Sequence, residues 1–285
     1  MAWLILAERI LKGAKWPIED GKWFKPEPKY ADRKVAVKIK ERSQTLNKIV
    51  RFNNVLFPDV LRLRLYLSKM LVDPWTTIQL RKLLEQKFTQ ISDAGEKWLE
   101  SLLPLEAIDL KDNPLVLIFD GVSPDVWLET FDTFEFNDKK MELFWFRLEA
   151  EPKTGPAVSA LFGFSDDAID ELAARDIAYH HIHGNEIYGM FDLLPPLSDE
   201  KPTVIKAALI DEGAHGERLR LAEMPGVLGR FMENELPGLI KLCKEKNRRL
   251  ILTTDHGFSL TDKGLSHGGG GVFERAVFRA QWKRD

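Results

Sequence analysis

The chain has 285 residues, is 44% hydrophobic and 30% charged, and carries a formal charge of −3 at pH 7. That is enough apolar material for a sizeable core in one large or two smaller domains. One cysteine, Cys243, excludes an intrachain disulfide framework and fits a reducing, cytoplasmic setting. No apolar run reaches the ~18–20 residues of a membrane span, so no membrane partner is expected. The charge is uneven: residues 1–110 carry roughly +6 and the remainder roughly −9, from 20 basic against 14 acidic residues and then 21 against 30.

The apolar opening Ala2-Trp-Leu-Ile-Leu-Ala7 runs into Glu8 and Arg9, which suits an amphipathic first helix better than a signal peptide. Basic residues crowd between Lys12 and Arg51 among Trp16, Trp23, Phe24 and Tyr30. Such a segment is either a surface for phosphate backbones or a solvated face with a few aromatic anchors. Further on, Leu61, Leu65, Leu67 and Leu71 recur near helical spacing, as do Leu80, Leu83, Leu84 and Phe88. Pro74 separates the two runs. Ser92-Asp93 can cap a third helix ending before Pro104. Residues 1–110 therefore read as a helical domain.

At Lys111-Asp-Asn-Pro114 the pattern changes. The run Leu115-Val-Leu-Ile-Phe119 is short, apolar and β-prone, as expected of a strand buried on both faces. Further strands are expected over 141–148, 177–182, 203–210, 250–252 and 276–282. A long amphipathic helix is expected over 226–244, through Pro237. Strands alternating with helices predict an α/β sandwich with a mainly parallel sheet over residues 111–285.

Several of these strands stop at a polar group able to bind metal. Asp120 follows the first. Asp211 follows the 203–210 run, with His215 four residues on. Asp255 and His256 follow the 250–252 strand, with Gly257 letting the backbone turn away, and His267 lies in the loop beyond. Three carboxylates and three imidazoles suffice for two divalent ions, with zinc the best match to the donors and manganese the second.

Phe119-Asp-Gly, Asp211-Glu-Gly-Ala-His215, Thr254-Asp-His-Gly257 and Ser266-His-Gly-Gly269 resemble, in order, the metal motifs of the alkaline phosphatase superfamily. The tail from His267 to Phe278 is most similar to the PglZ domain. The resemblance covers roughly residues 113–285. It implies a three-layer sandwich, with Asp120, Asp255 and His256 on one ion and Asp211, His215 and His267 on the other. It also calls for a Ser or Thr nucleophile at a helix N-terminus, between the first Asp and the Asp-x-x-x-His motif. Thr154, just ahead of Pro156, is the candidate, and Ser159 is the second choice. A cation beside the hydroxyl would take up alkoxide charge, and Thr154 thereby becomes a ligand too.

The implied activity is a two-metal phosphoesterase acting on phosphate esters. A diester of a nucleotide or oligonucleotide is favoured, in phage defence or signalling. The alternative is a non-catalytic, metal-stabilised adaptor whose helical third binds a protein. Among lesser features, Lys153 either offsets phosphate charge or is solvated. His180-His181-x-His183 looks like a metal tract, but neighbouring strand residues face opposite sides; His183 and Asn185 are placed instead as substrate contacts. Glu274 and Arg275 suggest a buried pair behind the glycine loop.

Overall fold

The computed structural model describes residues 95–133, 141–165, 168–184, 201–215, 219–261 and 264–282, with isolated helical positions at 64, 65, 68, 89, 92 and 93. Two compact units divide the chain, Met1–Gly95 and Glu96–Asp285. In the first unit every described residue is helical, and of the two leucine runs only Leu65 is among the described residues. The basic segment 12–51, the first helix and Asn185 lie outside the described residues. No helix among the described residues is long and apolar enough to cross a membrane.

The second unit starts ahead of the 110/111 change in sequence character, because residues 96–110 include an edge strand. That strand, β1 (Leu103–Pro104), is followed by β2 (Leu115–Phe119), α1 (Pro124–Thr133), β3 (Met141–Arg147), α2 (Thr154–Phe162), α3 (Ala168–Ala174), β4 (Ala178–Ile182) and β5 (Thr203–Ala207). Then come α4 (Leu209–His215), α5 (Met224–Asn234), α6 (Leu236–Glu245), β6 (Leu250–Thr254), β7 (Ser259–Thr261), β8 (Gly264–Ser266), α7 (Val272–Arg275) and β9 (Ala276–Trp282). The seven-stranded sheet has the order β1-β3-β9-β6-β2-β5-β4, and β7 pairs with β8 in a separate hairpin. β9 runs against both its neighbours, β3 and β6; the other pairings are parallel.

Every residue of β2, β5 and β6 is buried, which requires helices on both faces of the sheet. Alternation along β2 shows the two sides. Val116 and Ile118 pack with Ala157, Val158 and Leu161 of α2 and Leu172 of α3. Phe119 points the other way, with its ring 6.1 Å from Trp127 of α1 and 5.4 Å from Phe231 of α5. Trp127 in turn stacks on Phe278 of β9 at 3.8 Å. The result is a three-layer α/β/α sandwich with a mainly parallel sheet.

Two expected elements come out differently. The 203–210 run is not one strand: β5 ends at Ala207 and α4 starts at Leu209, so Ile210 is a buried helical residue. The 226–244 helix is two helices meeting at Glu235. Pro237 sits in the first turn of α6, where its missing N–H costs nothing; one continuous helix would put it in the interior. At the opposite end of the strands, buried Arg248 donates to the carbonyls of Asn113, Pro114 and Lys201 and to Thr203 Oγ1. It ties the strand starts together and leaves the C-terminal ends for the site.

Candidate metal centre

The three central strands β6, β2 and β5 end in register, with Phe119 opposite both Ala207 and Thr254. The residues following each strand therefore gather at one edge, outside the carboxyl ends, where open α/β sheets bind ligands. Asp120 follows β2, Asp255 and His256 follow β6, and α4 brings in Asp211 and His215 one turn apart. His267 comes over from the loop after β8. Asp120, Asp211, His215, Asp255, His256 and His267 all converge here.

The ligand atoms form two groups, Asp120 with Asp211 and His256, and Asp211 with His215 and His267. Within each group they lie within 4.8 Å of one another. Asp120 Oδ1 is 3.4 Å from His256 Nε2. Asp211 Oδ1 is 3.3 Å from His215 Nε2 and 3.8 Å from His267 Nε2, and the two Nε2 atoms face each other at 2.9 Å. The geometry thus shares Asp211 between the groups. Asp255 stands behind, its Oδ2 3.8 Å from His256 Nε2 and its Oδ1 accepting the N–H groups of His256 (2.8 Å) and Gly121 (3.4 Å).

Several features hold these groups in place. His256 Nδ1 lies 3.2 Å from the Gly257 carbonyl, so it donates there and turns the Nε2 lone pair to the cleft. Phe258 is fully buried and meets the rings of His215, His256 and His267 edge-on. Thr254 Oγ1 accepts the Val122 N–H at 3.2 Å and lies within hydrogen-bond distance of the carbonyls of Phe119 and His256. Gly257 is required by close approach rather than by a turn: a Cβ there would sit 2.2 Å from the Phe273 carbonyl oxygen and 2.6 Å from Ser123 Cα.

Charge is unbalanced in this cleft. Asp255 is fully buried, and desolvation, followed by the charge of Asp120, holds its pKa well above the usual carboxylate range. Asp211 is raised for the same two reasons. The His267 pKa is lowered, first by burial and then by His256. Asp211 Oδ1, Asp255 Oδ2 and His256 Nε2 are buried and have no hydrogen-bond partner. Buried polar atoms are nearly always satisfied, and an oxygen and nitrogen donor set left open in this way suits a divalent cation such as zinc.

Thr154 is the first residue of α2, and Lys153 holds the N-cap position with extended backbone and no side-chain cap bond. With Pro156 expected at the first helical position, Thr154 would precede the helix; α2 instead begins two residues earlier, at Thr154 itself. Its hydroxyl points to Asp120 Oδ1 at 3.4 Å, toward the metal cluster and not to the backbone. Ser159 lies well inside the same helix. Lys153 is paired with Glu151. His183 stands against Glu212, its Nδ1 2.5 Å from Oε1. The expected Glu274–Arg275 pair does not form: Glu274 accepts the Gly270 N–H at 3.0 Å, while Arg275 reaches Glu149 and the Leu148 carbonyl.

Lys206 is absent from the sequence-based set. It sits in the buried strand β5 and binds Asp120 Oδ2. Burial opposes its charge, but the carboxylates of Asp120 and Asp255 outweigh that and raise its pKa. A lysine inside the apolar run Thr203-Val-Ile-Lys-Ala207 is the signal that could have revealed it, because buried lysines need a partner.

No protein-family model matches the chain, and no curated protein matches it. Among solved structures it is similar to the C-terminal periplasmic domain of EcEptC from Escherichia coli, at 10% identity and a TM-score of 0.39, covering 65% of this chain and 77% of that one. A complex of that domain with Zn matches at 11% identity and a TM-score of 0.37, with the same coverage. Alkaline phosphatase from the Antarctic bacterium TAB5 matches at 12% identity and a TM-score of 0.35, covering 59% of this chain and 91% of that one.

Proposed function

We propose that the cleft is the active site of a two-metal phosphoesterase with Thr154 as nucleophile. The observation that carries this reading is the pair of ligand groups sharing Asp211, with the Thr154 hydroxyl directed at a carboxylate of one group. Asp120, Asp211 and His256 would hold one ion, supported by Asp255, and Asp211, His215 and His267 the other. When bound, two divalent ions supply charge stabilisation to an attacking and a leaving oxygen in an in-line displacement. Zinc fits the imidazole-rich donor set best, and manganese is the alternative.

The chain's own groups do the positioning. Thr154 Oγ1 attacks phosphorus, an Oγ–P bond forms as the bond to the leaving alcohol breaks, and water later cleaves the phosphothreonine. Asp120 Oδ1 is the acceptor toward which the hydroxyl proton points. The first backbone N–H groups of α2 lack intrahelical acceptors and, with the helix dipole, favour a phosphoryl oxygen there. Lys206 fixes the opposite oxygen of Asp120 and keeps that carboxylate oriented. The favoured substrate is a diester in a nucleotide or oligonucleotide, and the basic composition of segment 12–51 supports a nucleic-acid partner. The defence or signalling role and the likeness to PglZ domains belong to this proposal as well.

Turnover of a chromogenic diester and monoester by wild type and by Thr154→Ala, Ser and Val tests it, with metal content checked in each. Because the Thr154 hydroxyl points to Asp120 and not to the backbone, the variants should fold like wild type. Alanine and valine should lose activity by orders of magnitude, and serine, which keeps a hydroxyl, should retain part of it. Equal turnover in all four excludes Thr154 as nucleophile. Wild type that holds two ions but turns over neither ester leaves the metal-stabilised adaptor as the better description.

A further inference from the structure

His181, His183 and Glu212 stand outside both ligand groups of the cleft. His181 is on β4, and His183 follows one residue past its end. Positions two apart on an extended chain share a face, and the two rings lie side by side, centroids 4.7 Å apart and tilted by 39°. Glu212 comes from the first turn of α4. Its Oε1 is 2.5 Å from His183 Nδ1, and its Oε2 accepts the Gly184 N–H at 2.9 Å. Ligand atoms from all three residues lie within 4.8 Å of one another.

We propose that these residues form a third ion site, at the rim of the sheet, taking a borderline divalent cation such as zinc. Two imidazoles and one carboxylate are a zinc donor set that leaves a coordination position open. The Gly184 N–H orients the carboxylate from behind, as outer hydrogen bonds do for metal ligands. A simple ion pair would account for Glu212 and His183. It leaves unexplained why the His181 ring stands beside them on the same face. Donor atoms around a tetrahedral zinc lie about 3.3–3.6 Å apart, from its bond lengths of ~2.0–2.2 Å, so closing the site takes only small rotamer shifts. Those shifts are open to His183 and Glu212, whose side chains are 55% and 41% exposed.

The same exposure makes the site weaker than the buried groups and leaves its open position facing water. Glu212 adjoins Asp211 in α4, so an ion here would fix the helix that carries two of the cleft's ligands. The site does not depend on the phosphoesterase reading, since it shares no ligand with the cleft.

The test is a Zn2+ titration of the full chain against a chromogenic chelator, with Co2+ absorption as a second reading. Wild type, a His181→Ala/His183→Ala double variant and Glu212→Gln are compared. The double variant should bind one equivalent fewer than wild type, and Glu212→Gln should weaken that equivalent at least about tenfold. Run in an Asp120→Asn/His267→Ala background, which empties the cleft, the same difference should persist. This separates failure of the third site from failure of the cleft. Equal stoichiometry and affinity in wild type and the double variant overturn the proposal. Circular dichroism checks that removing these surface imidazoles leaves the fold intact.

Discussion

Replacing Lys206 by methionine keeps the volume of the side chain and removes its charge. Lys206 and Asp120 are both buried, with side chains 5% and 3% exposed. Breaking such a pair leaves a carboxylate uncompensated in the interior, at a cost of about 3–5 kcal/mol. For a unit of this size that corresponds to a fall in Tm of roughly 6–20 °C, at ~2–4 °C per kcal/mol. In chelator-treated protein the full cost should appear. With saturating Zn2+ it should shrink, because a cation held by Asp120 replaces the missing ammonium. Adding Asp120→Asn should recover much of the loss in the metal-free state, since nothing charged is then stranded. The assay is thermal unfolding of wild type, both single variants and the double variant, each with chelator and with Zn2+. A Lys206→Met penalty below ~1 kcal/mol in chelator, or one unchanged by Zn2+, would refute the claim that lysine and metal compensate the same carboxylate.

Asp211 belongs to both ligand groups, so Asp211→Ala should deplete both ions whereas His267→Ala loses mainly one; elemental analysis after metal-replete purification distinguishes them. The raised pKa values of Asp211 and Asp255 have a definite sign. Between the ordinary 3.8 and its raised value each carboxyl is protonated when folded and ionised when unfolded. What these two carboxyls contribute to metal-free stability is therefore greatest at low pH and is lost as pH rises through the folded pKa. Relative to Asp255→Asn, chelated wild type should lose Tm as pH rises above the ordinary 3.8, and Zn2+ should reverse that trend by displacing protons; a relative gain with chelator present would contradict the burial argument. For the basic N-terminal segment, oligonucleotide affinity should fall steeply with salt. Replacing Lys34, Lys38 and Lys40 by Glu should weaken it with metal content unchanged, and salt-insensitive binding would leave that segment a solvated face.

The sheet was legible because its strands are short apolar runs ending in Asp, His or Gly, and a buried parallel strand has few other ways to look. The layer arrangement followed from the alternation with helices. Less legible was the 203–210 run, where apolar residues continue from strand into helix without a change in hydrophobicity; periodicity cannot separate the two in so short a stretch. That ambiguity hid the fact that Asp211 and His215 are one helical turn apart, which is what faces both into the cleft. Lys206 does not stand out in the sequence because a single lysine in a strand pattern reads as a solvent-facing position, and its partner Asp120 is 86 residues away. Gly257 looks like a turn residue in the sequence, whereas its need for a bare Cα comes from Phe273 and Ser123, neither adjacent in the chain.

Charge in the cleft also bears on the choice between an enzyme and a scaffold. Asp120, Asp211 and Asp255 bring three negative charges when ionised, Lys206 returns one positive, and neutral imidazoles add none, which leaves −2. The chain alone meets this by raising the pKa of Asp211 and Asp255. One divalent ion would restore neutrality, and for holding loops together that is enough. A second ion would carry the cleft to +2, a surplus that destabilises a merely structural site but matches an incoming phosphoryl group and the charge gathered in its displacement. Two groups of donors that share Asp211, rather than one, are what the cleft provides. The Thr154 hydroxyl beside them is directed at Asp120 rather than at the backbone of its own helix. Both features favour a site built to receive an anion over one built only to hold itself together.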